Sequence, residues 1–298
     1  MEKRIYGKTG LNVSVLGFGG AEIGFEGASP GQVERLLNDA LDSGLNVIDT
    51  AECYANSEEL IGQTVAHRRS DYYLFTKCGH ASGFDLPDWD PKLLEQSIDR
   101  SLRRLRTDYV DVIHLHSCSE EVLRRGEVIE VLQRAKEKGK TRFIGYSGDH
   151  TDALYAVRTG AFDSLMISVN IADQEAIDLV LPEAAARGLG VVVKRPIANF
   201  AWRYDAKPDV EYHQTYWERL QQLDYPQFRS KDEQTVGMAL RFALAVPGVH
   251  TAIVGTKNPE RWRTNARLLE AGPLPEETYR AIRERWKEAA RPDWIGQE

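Results

Sequence analysis

The sequence predicts a (β/α)8 TIM barrel, and two patterns support this prediction. The chain of 298 residues alternates short apolar runs with helical stretches, and eight such runs over about 250 residues match the strand count of that fold. The runs are apolar nearly throughout, which is typical of parallel strands covered on both faces. An open doubly wound sheet is the alternative, but no G-x-G-x-x-G turn joins the first strand to the first helix.

The elements follow one another regularly. We predict an N-terminal β-hairpin that runs into a first barrel strand at 13–17. The other predicted strands are 46–50, 72–77, 109–116, 141–147, 163–169, 190–194 and 251–254. The predicted helices between strands are 30–43, 57–66, 90–106, 120–138, 151–159, 174–187 and 234–245. Capping residues support these bounds, since Asp90 and Pro91 are typical of a helix start and Gly160 and Gly188 of helix ends.

Two segments fall outside the repeat. We expect residues 1–298 to form a single barrel domain, in which 199–231 is a long aromatic-rich connection over the mouth at the carboxyl ends of the strands. The alternative for this connection is a helix that packs its rings on the flank of the barrel. Residues 275–290 predict an extra amphipathic C-terminal helix.

Composition and charge exclude several classes of function. Acidic residues number 45 and basic residues 38, for a formal net charge of -7, so neither nucleic acid nor a membrane surface is expected as a partner. No segment approaches the ~20 apolar residues of a membrane span. The three cysteines, Cys53, Cys78 and Cys118, lack metal-ligand spacing and fit reduced thiols. We therefore expect a cytoplasmic protein that acts on a small molecule.

Four reactive side chains follow neighbouring strands and should meet at the mouth. Asp49 and Tyr54 follow the second strand, Lys77 ends the third and His116 ends the fourth. A phenol can protonate the oxygen left when a carbonyl accepts hydride, and a nearby ammonium would make that phenol more acidic. Asp49 would then keep Lys77 charged, and His116 would orient the carbonyl. A nicotinamide cofactor must supply the hydride, because no side chain can.

The chain resembles the aldo-keto reductase family over essentially its whole length. The motifs that match are Ile-Asp-Thr-Ala-Glu-Cys-Tyr at 48–54, Ser-Glu-Glu-Leu-Ile-Gly at 57–62, Phe-Thr-Lys at 75–77, Tyr-Val-Asp-Val-Ile-His-Leu-His at 109–116 and Val-Gly-Thr-Lys-Asn-Pro-Glu-Arg at 254–261. The resemblance implies a catalytic tetrad of Asp49, Tyr54, Lys77 and His116, and NADPH as the cofactor.

The resemblance also implies a set of cofactor-binding residues. Besides Asp49, they are Gly20, Ala21, Ser147, Gly148, Lys194, Arg195, Pro196, Ile197, Thr256, Lys257, Arg261 and Asn265. Lys257 and Arg261 are cations near a helix start, which suits a ribose phosphate. Three positions depart from the family pattern at the nicotinamide: Gly148, Met166 and Lys194. Asn170 or Gln174 could replace the missing carboxamide contact.

Other interpretations stay open at this point. His114 and His116 face the same way on one strand, as in metal-dependent barrel hydrolases, although later strand ends offer no further ligands; otherwise His114 is a hydrogen-bonded residue of the barrel interior. Lys77 could form a Schiff base in an aldolase. The barrel could also bind a nicotinamide as a sensor or partner subunit with little turnover. Cys53 and Cys78 are expected to pack, while His80, Phe84 and Trp89 are candidates for the substrate pocket.

Overall fold

The N-terminus forms the predicted antiparallel hairpin. In the computed structural model, which describes residues 1–297, strand β1 (Lys3–Ile5) pairs with β2 (Asn12–Ser14) across a 3-10 helix at Gly7–Thr9. Tyr6 between them is fully buried, and its ring lies so close to the backbone of Gly190 that a Cβ there would approach it to 2.3 Å. The hairpin therefore closes the amino-terminal end of the barrel.

Eight parallel strands form a closed barrel, which confirms the predicted fold class. The strands pair in sequence order, and the last strand closes the ring between the first and the seventh. They are β3 (Leu16–Gly19), β4 (Val47–Asp49), β5 (Tyr73–Cys78), β6 (Val110–His116), β7 (Thr141–Ser147), β8 (Ser164–Ser168), β9 (Gly190–Lys194) and β10 (Thr251–Gly255).

The first barrel strand begins later than the sequence pattern predicts. The pattern indicates 13–17, but Val13 belongs to β2 and pairs with Arg4 in the hairpin. Leu16 is the first residue that pairs with β10, opposite Ala252. One apolar run thus serves two sheets in succession, and apolar character alone does not reveal the division between them.

Helices cover the outside of the barrel. They are α1 (Ala21–Phe25), α2 (Pro30–Asp42), α3 (Ser57–Thr64), α4 (Pro91–Leu105), α5 (Glu120–Arg124), α6 (Glu127–Glu137), α7 (His150–Thr159), α8 (Glu175–Leu179), α9 (Leu181–Ala186), α10 (Glu211–Leu223), α11 (Glu233–Ala245), α12 (Pro259–Leu268) and α13 (Glu276–Ala289). The side chain of Asp90 caps α4 as predicted, and α13 is the extra C-terminal helix. In the described residues, no helix is long and apolar enough to cross a membrane.

Two predicted helices are each divided in two. The stretch 120–138 breaks at Gly126, whose φ of 78° lies outside the helical region. The stretch 174–187 breaks at Val180, two residues before Pro182, which has no backbone N–H to donate. Both breaks let the chain follow the curved barrel surface with short helices.

Residues 199–231 contain α10 between two 3-10 helices, Ala198–Arg203 and Pro226–Phe228. Some aromatic side chains of this segment are buried; Trp202, for example, donates from its indole to Thr235 Oγ1 at 3.0 Å. Others, Phe200 and Tyr212, line the large cavity at the mouth of the barrel. The segment therefore contributes both to the core and to the wall of that cavity.

Candidate active site

A cavity of about 810 Å³ lies at the carboxyl ends of the strands. All eight barrel strands contribute to its wall, which is the usual place for an active site in this fold. The contributing side chains and backbone from the strands include Gly19, Asp49, Lys77, His116, Ser147, Met166, Lys194 and Val254.

Lys77 and Asp49 form a buried ion pair at the base of this cavity. Lys77 Nζ lies 2.6 Å from Asp49 Oδ2 and also donates to the carbonyl oxygen of Thr50 at 2.8 Å. Their exposed fractions are only 2% and 1%. The same ammonium lies 4.8 Å from the centre of the Tyr54 ring. Lys77 thus contacts two of the other three predicted side chains.

The ion pair is charged at neutral pH. Burial raises the pKa of Asp49 to about 6, although the Lys77 ammonium opposes this rise. Burial would lower the pKa of Lys77, but Asp49 and Tyr54 outweigh it and the pKa is raised. A lysine that keeps its proton is a poor Schiff-base nucleophile, so this geometry disfavours the aldolase interpretation.

Tyr54 differs from the expectation in one respect. Burial raises the pKa of Tyr54 above its usual value, and the nearby Lys77 cation acts in the predicted direction but only partly offsets burial. The phenol therefore holds its proton firmly in the resting site. The sequence indicated the cation beside the phenol but not the larger opposing effect of burial on the phenol pKa.

His116 completes the group from the end of β6. Its ring meets the Tyr54 ring edge-on, with centroids 5.6 Å apart, and the His80 ring with centroids 5.1 Å apart. Burial and then Lys77 lower the pKa of His116 well below its usual value, so the ring is neutral. The Cys53 sulfur lies 3.3 Å from its Nδ1. Cys53, which was expected to pack, lies instead in a turn, whereas Cys78 is buried in the core as expected.

A loop after β5 packs beside His116. His80 Nδ1 lies 3.0 Å from Asp88 Oδ2, and the rings of His80 and Trp89 are 5.5 Å apart. Gly79 has a φ of 138°, and a Cβ there would lie 2.0 Å from the Trp89 ring. The loop is therefore tightly folded, and of the predicted pocket residues it brings His80 against the ring of His116. Neither His80 nor Trp89 is among the residues that line the cavity. Phe84, the third, stacks on Arg100.

Most of the residues predicted to bind the cofactor line the cavity. They are Gly20, Ala21, Asp49, Ser147, Lys194, Arg195, Pro196, Ile197, Thr256, Lys257, Arg261 and Asn265. Gly148 is not among the lining residues; the hydroxyl of Tyr146 would lie 2.6 Å from a Cβ at this position. Asn170 and Gln174 are buried and do not line the cavity either, and Gln174 is bonded to Tyr225 and Arg283.

Three residues that line the cavity each have a buried polar atom without a hydrogen-bond partner in the described residues. These atoms are Asp49 Oδ1, Ser147 Oγ and His213 Nδ1. An unsatisfied buried polar atom costs free energy, so such atoms mark places where a ligand can bind. A nicotinamide carboxamide offers both a donor and an acceptor. The residues present therefore fit such a group near Ser147.

Sequence reasoning missed two acidic residues at the other end of the cavity. The Glu22 carboxylate packs on the backbone of Gly255, where a Cβ would overlap it. Glu26 Oε2 lies 3.2 Å from Lys257 Nζ. Glu22 lies in the five-residue helix α1 and Glu26 directly follows it. A helix this short shows no periodicity in the sequence. Lys257 is thus paired within the protein.

A second buried carboxylate, Asp149, was also missed. It accepts from the backbone N–H and the hydroxyl of Ser168, and its Oδ2 lies 2.9 Å from Lys194 Nζ. Arg195 donates to the same serine hydroxyl at 3.1 Å. The sequence signal was the lysine at the end of β9, since a partly buried cation is favoured by a nearby anion.

The two histidines of β6 have different environments. His114 lies in the barrel interior, where Nε2 is 2.7 Å from Ser164 Oγ, as the default interpretation predicted. His116 lines the cavity. Within residues 1–297 no group of three or more His, Cys, Asp or Glu side chains has an arrangement that could hold a metal ion. The structure thus offers no further ligands to support the metal interpretation.

Comparison with known proteins finds similar chains. The model of the Aldo/keto reductase family matches residues 15–287. The L-galactose dehydrogenase of Arabidopsis thaliana is 30% identical, over 95% of this chain and 93% of that protein. A putative voltage-gated potassium channel subunit beta of Schizosaccharomyces pombe is 28% identical, over 90% of this chain and 88% of that protein. The solved holo form of the aldo-keto reductase AKR11C1 from Bacillus halodurans is 27% identical, with a TM-score of 0.81 over 98% of this chain and 99% of that chain.

Proposed function

Because the chain belongs to the aldo/keto reductase family, whose oxidoreductases use nicotinamide cofactors, we propose that it reduces an aldehyde or ketone with a hydride from NADPH. The main support is the buried pair of Lys77 and Asp49, 2.6 Å apart, beside the Tyr54 ring at the cavity. A buried charge pair is costly to maintain at a ligand cavity, and perturbed ionisable groups in a cleft are typical of catalytic sites.

Each member of the tetrad has a distinct role in this proposal. When bound, the cofactor supplies the hydride to the carbonyl carbon. Tyr54 donates its phenolic proton to the carbonyl oxygen as general acid. Lys77 lowers the pKa of Tyr54 by stabilising the phenolate that results, and Asp49 holds Lys77 charged and oriented. His116, which is neutral, orients the carbonyl oxygen by a hydrogen bond.

The raised pKa of Tyr54 fits this division of roles. Burial alone disfavours a phenolate, so the proton would not leave without a nearby cation. Because the environment of Lys77 has a lower effective dielectric than bulk water, Lys77 would interact more strongly with the developing negative charge than it would in water. Tyr54 is therefore proposed to act as an acid only while it faces the nascent alkoxide.

The cofactor would extend from Tyr54 to α12. Near the nicotinamide end we propose contacts from Gly20, Ala21, Asp49, Ser147, Gly148, Lys194, Arg195, Pro196 and Ile197. Thr256 and Asn265 would contact the adenosine end, where Lys257 and Arg261 supply the cations for the phosphate that distinguishes NADPH from NADH. Both cations are exposed and line the cavity.

One observation favours NADH instead. Glu26 pairs with Lys257 at 3.2 Å, so a ribose phosphate would have to displace a carboxylate or accept its repulsion. Arg261 would then be the main cation for the phosphate. The ratio of the two dissociation constants decides between the cofactors.

We propose that the substrate is a small carbonyl compound held between His116 and the loop at 79–89. The first relative reported above is a dehydrogenase of L-galactose, and His80, Asp88 and Trp89 provide hydrogen-bonding groups and a ring face of the kind that bind sugar-like molecules. Residues 199–231, with Phe200 and Tyr212 in the cavity wall, would cover the mouth of a single barrel domain formed by residues 1–298.

The proposal assigns the protein to the cytoplasm without a nucleic acid or membrane partner. Its three cysteines are free thiols in the structure, which fits a reducing compartment. The net charge of -7 repels anionic surfaces. A small-molecule carbonyl substrate is therefore the partner that these properties suit.

A second candidate function is a nicotinamide-binding sensor or partner subunit with little turnover. The similarity to a putative potassium channel subunit beta and the atypical residues Gly148, Met166 and Lys194 favour it. It differs from the first proposal in turnover and not in cofactor binding. One set of measurements can therefore test both.

The test titrates the fluorescence of the six tryptophans with NADPH and with NADH, and then follows cofactor oxidation with small aldehydes and hexoses. We expect NADPH to bind at least about tenfold more tightly, because its phosphate gains charge-assisted hydrogen bonds. The variant Arg261→Gln should lose this preference and keep its NADH affinity. Tighter NADH binding would refute the NADPH assignment, and binding without oxidation across the substrates would favour the second candidate.

A further inference from the structure

The turn between β4 and α3 holds a thiol against the ring of His116. Cys53 Sγ lies 3.3 Å from Nδ1 of that ring. The turn is anchored on both sides, since Glu52 donates its N–H to the carbonyl of Lys77 at 3.2 Å and Tyr54 donates to Ala51 at 3.0 Å. The position of the sulfur is therefore set by the same backbone that positions Tyr54 and Lys77.

The other two cysteines have no comparable contact. Cys78 and Cys118 are buried in the hydrophobic core, and Cys118 donates only to the backbone carbonyl of Ser119, at 3.7 Å. Cys53 is half-buried and faces the catalytic group. Packing alone thus explains the other two positions but not the contact of Cys53 with a ring nitrogen.

Both partners of this contact are neutral at physiological pH. Burial raises the pKa of the Cys53 thiol to about 11. Burial lowers the pKa of His116, and Lys77, His80 and Lys194 lower it further. The hydrogen bond between a neutral thiol and a neutral imidazole contains one hydrogen, which either the sulfur or the nitrogen can donate. The imidazole lone pair is a better acceptor than a thiol sulfur. The arrangement with S–H as donor and Nδ1 as acceptor is therefore favoured.

The other ring nitrogen of His116, Nε2, has no hydrogen-bond partner within residues 1–297, although the residue lines the cavity. In a neutral histidine, the hydrogen bond at one nitrogen determines which nitrogen carries the proton. A thiol that donates to Nδ1 leaves the proton on Nε2. Only that tautomer can donate a hydrogen bond from Nε2 to a carbonyl oxygen.

We propose that Cys53 is a positioning residue that fixes His116 in the tautomer with its proton on Nε2, ready to donate to the substrate carbonyl. This inference rests on the proposed function for the role of that hydrogen bond in carbonyl reduction. The tautomer itself is a property of the free protein. It can therefore be tested without cofactor or substrate.

The first experiment measures the ring nitrogen chemical shifts of His116 in protein labelled with 15N-histidine, with His116→Gln to assign the signals. We expect the wild type to show a protonated Nε2 and an unprotonated Nδ1. Cys53→Ser, which keeps a donor, should retain this pattern, and Cys53→Ala should show a mixture of tautomers. A wild type with its proton on Nδ1, or an unchanged pattern in Cys53→Ala, would overturn the proposal.

The second experiment compares steady-state reduction by the same variants. We expect kcat/KM for the carbonyl to fall about fivefold in Cys53→Ala, the effect of one neutral hydrogen bond, with substantial recovery in Cys53→Ser and an unchanged dissociation constant for NADPH. Cys118→Ala is the control for loss of a thiol elsewhere. Equal rates in Cys53→Ala and wild type would contradict the inference.

The two outcomes separate this inference from the proposed function. If the protein does not reduce carbonyls, the proposed function fails while the chemical shifts still report the tautomer. If carbonyls are reduced but the shifts do not respond to Cys53→Ala, only the inference fails. Circular dichroism confirms that each variant is folded before either result is interpreted.

Discussion

The two ends of the barrel interior contain the same types of residue in different surroundings. At the amino-terminal end, the hydroxyl groups of Tyr6 and Ser164 are hydrogen-bonded at 2.6 Å. The Ser164 hydroxyl also lies 2.7 Å from Nε2 of His114, in a region sealed by the hairpin. At the carboxyl end, Tyr54 and His116 face a cavity. A tyrosine and a histidine thus form a structural contact at one end and a candidate catalytic site at the other.

Charge and access explain the difference. Burial lowers the pKa of His114 to about 3 and raises that of Tyr6, so both are inert at physiological pH. At the mouth, the charged pair of Lys77 and Asp49 lies against the tyrosine, and Asp49 Oδ1 lacks a partner in the described residues. Residue type alone therefore does not define the site; a cation beside the phenol and an open cavity do.

Removal of the cation should have the largest effect. Lys77→Met leaves Asp49 buried without its partner, so we expect the free energy of unfolding at pH 7 to fall by about 3 kcal/mol in urea denaturation, together with loss of reductase activity. The surface ion pair of Lys140 with Asp99 provides the control, because Lys140→Met should lower the free energy of unfolding by less than about 1 kcal/mol. Equal losses in the two variants would mean that the buried pair has no special role.

The two histidines of β6 should respond unequally to the same substitution. His116→Gln should lower kcat/KM by about 10- to 100-fold, because the group proposed to orient the carbonyl is lost. His114→Gln should stay within about twofold in activity and cost roughly 1 kcal/mol of stability, the worth of its hydrogen bond to Ser164. Comparable kinetic losses would show that the distinction between the two ends is wrong.

Acid should reduce activity before it unfolds the protein. The pKa of Asp49 is raised to about 6, so about one pH unit below that value most of this carboxylate is protonated and kcat/KM should fall about tenfold. The folded protein binds this proton more readily than the unfolded chain does, so between about pH 6 and 4 this group favours folding as the pH falls. Between pH 7 and 5, kcat/KM should therefore fall while the circular dichroism signal of the folded protein stays constant. A parallel loss of activity and of folded signal would contradict the role of Asp49.

Among these substitutions, one at the outer end of the cavity should have the smallest effect on function. Glu26→Gln removes the exposed partner of Lys257, so the dissociation constant for NADPH should decrease about threefold, as expected for an exposed ion pair. NADH lacks the phosphate and serves as the internal control in the same fluorescence titration. Tighter binding of both cofactors would place the effect of Glu26 elsewhere.

The barrel was predictable because its signals are local. Runs of apolar residues ending in Asp49, Lys77 and His116 identify both the strands and the mouth. The division of the first run between β2 and β3 depends on strand pairing that no local pattern reveals. The helix break at Gly126 had a local signal in the glycine itself, which the periodicity of 120–138 outweighed.

The meeting of Asp49, Tyr54, Lys77 and His116 at one cavity was also predictable, since each residue lies at or just after a strand end. The pairing of Glu26 with Lys257 and the contact of Cys53 with His116 were not. Both join distant parts of the chain through loops or a very short helix. Their geometry is set by tertiary packing, which periodicity and spacing do not report.

The most direct test of the account compares Tyr54→Phe with Tyr6→Phe in single-turnover reduction of an aldehyde by bound NADPH. We expect Tyr54→Phe to slow the reaction by at least about 100-fold with nearly unchanged NADPH affinity, because it lacks the acidic proton. Tyr6→Phe, which loses only its bond to Ser164, should react at nearly the wild-type rate. Wild-type reduction by Tyr54→Phe would contradict the role assigned to the phenol beside Lys77.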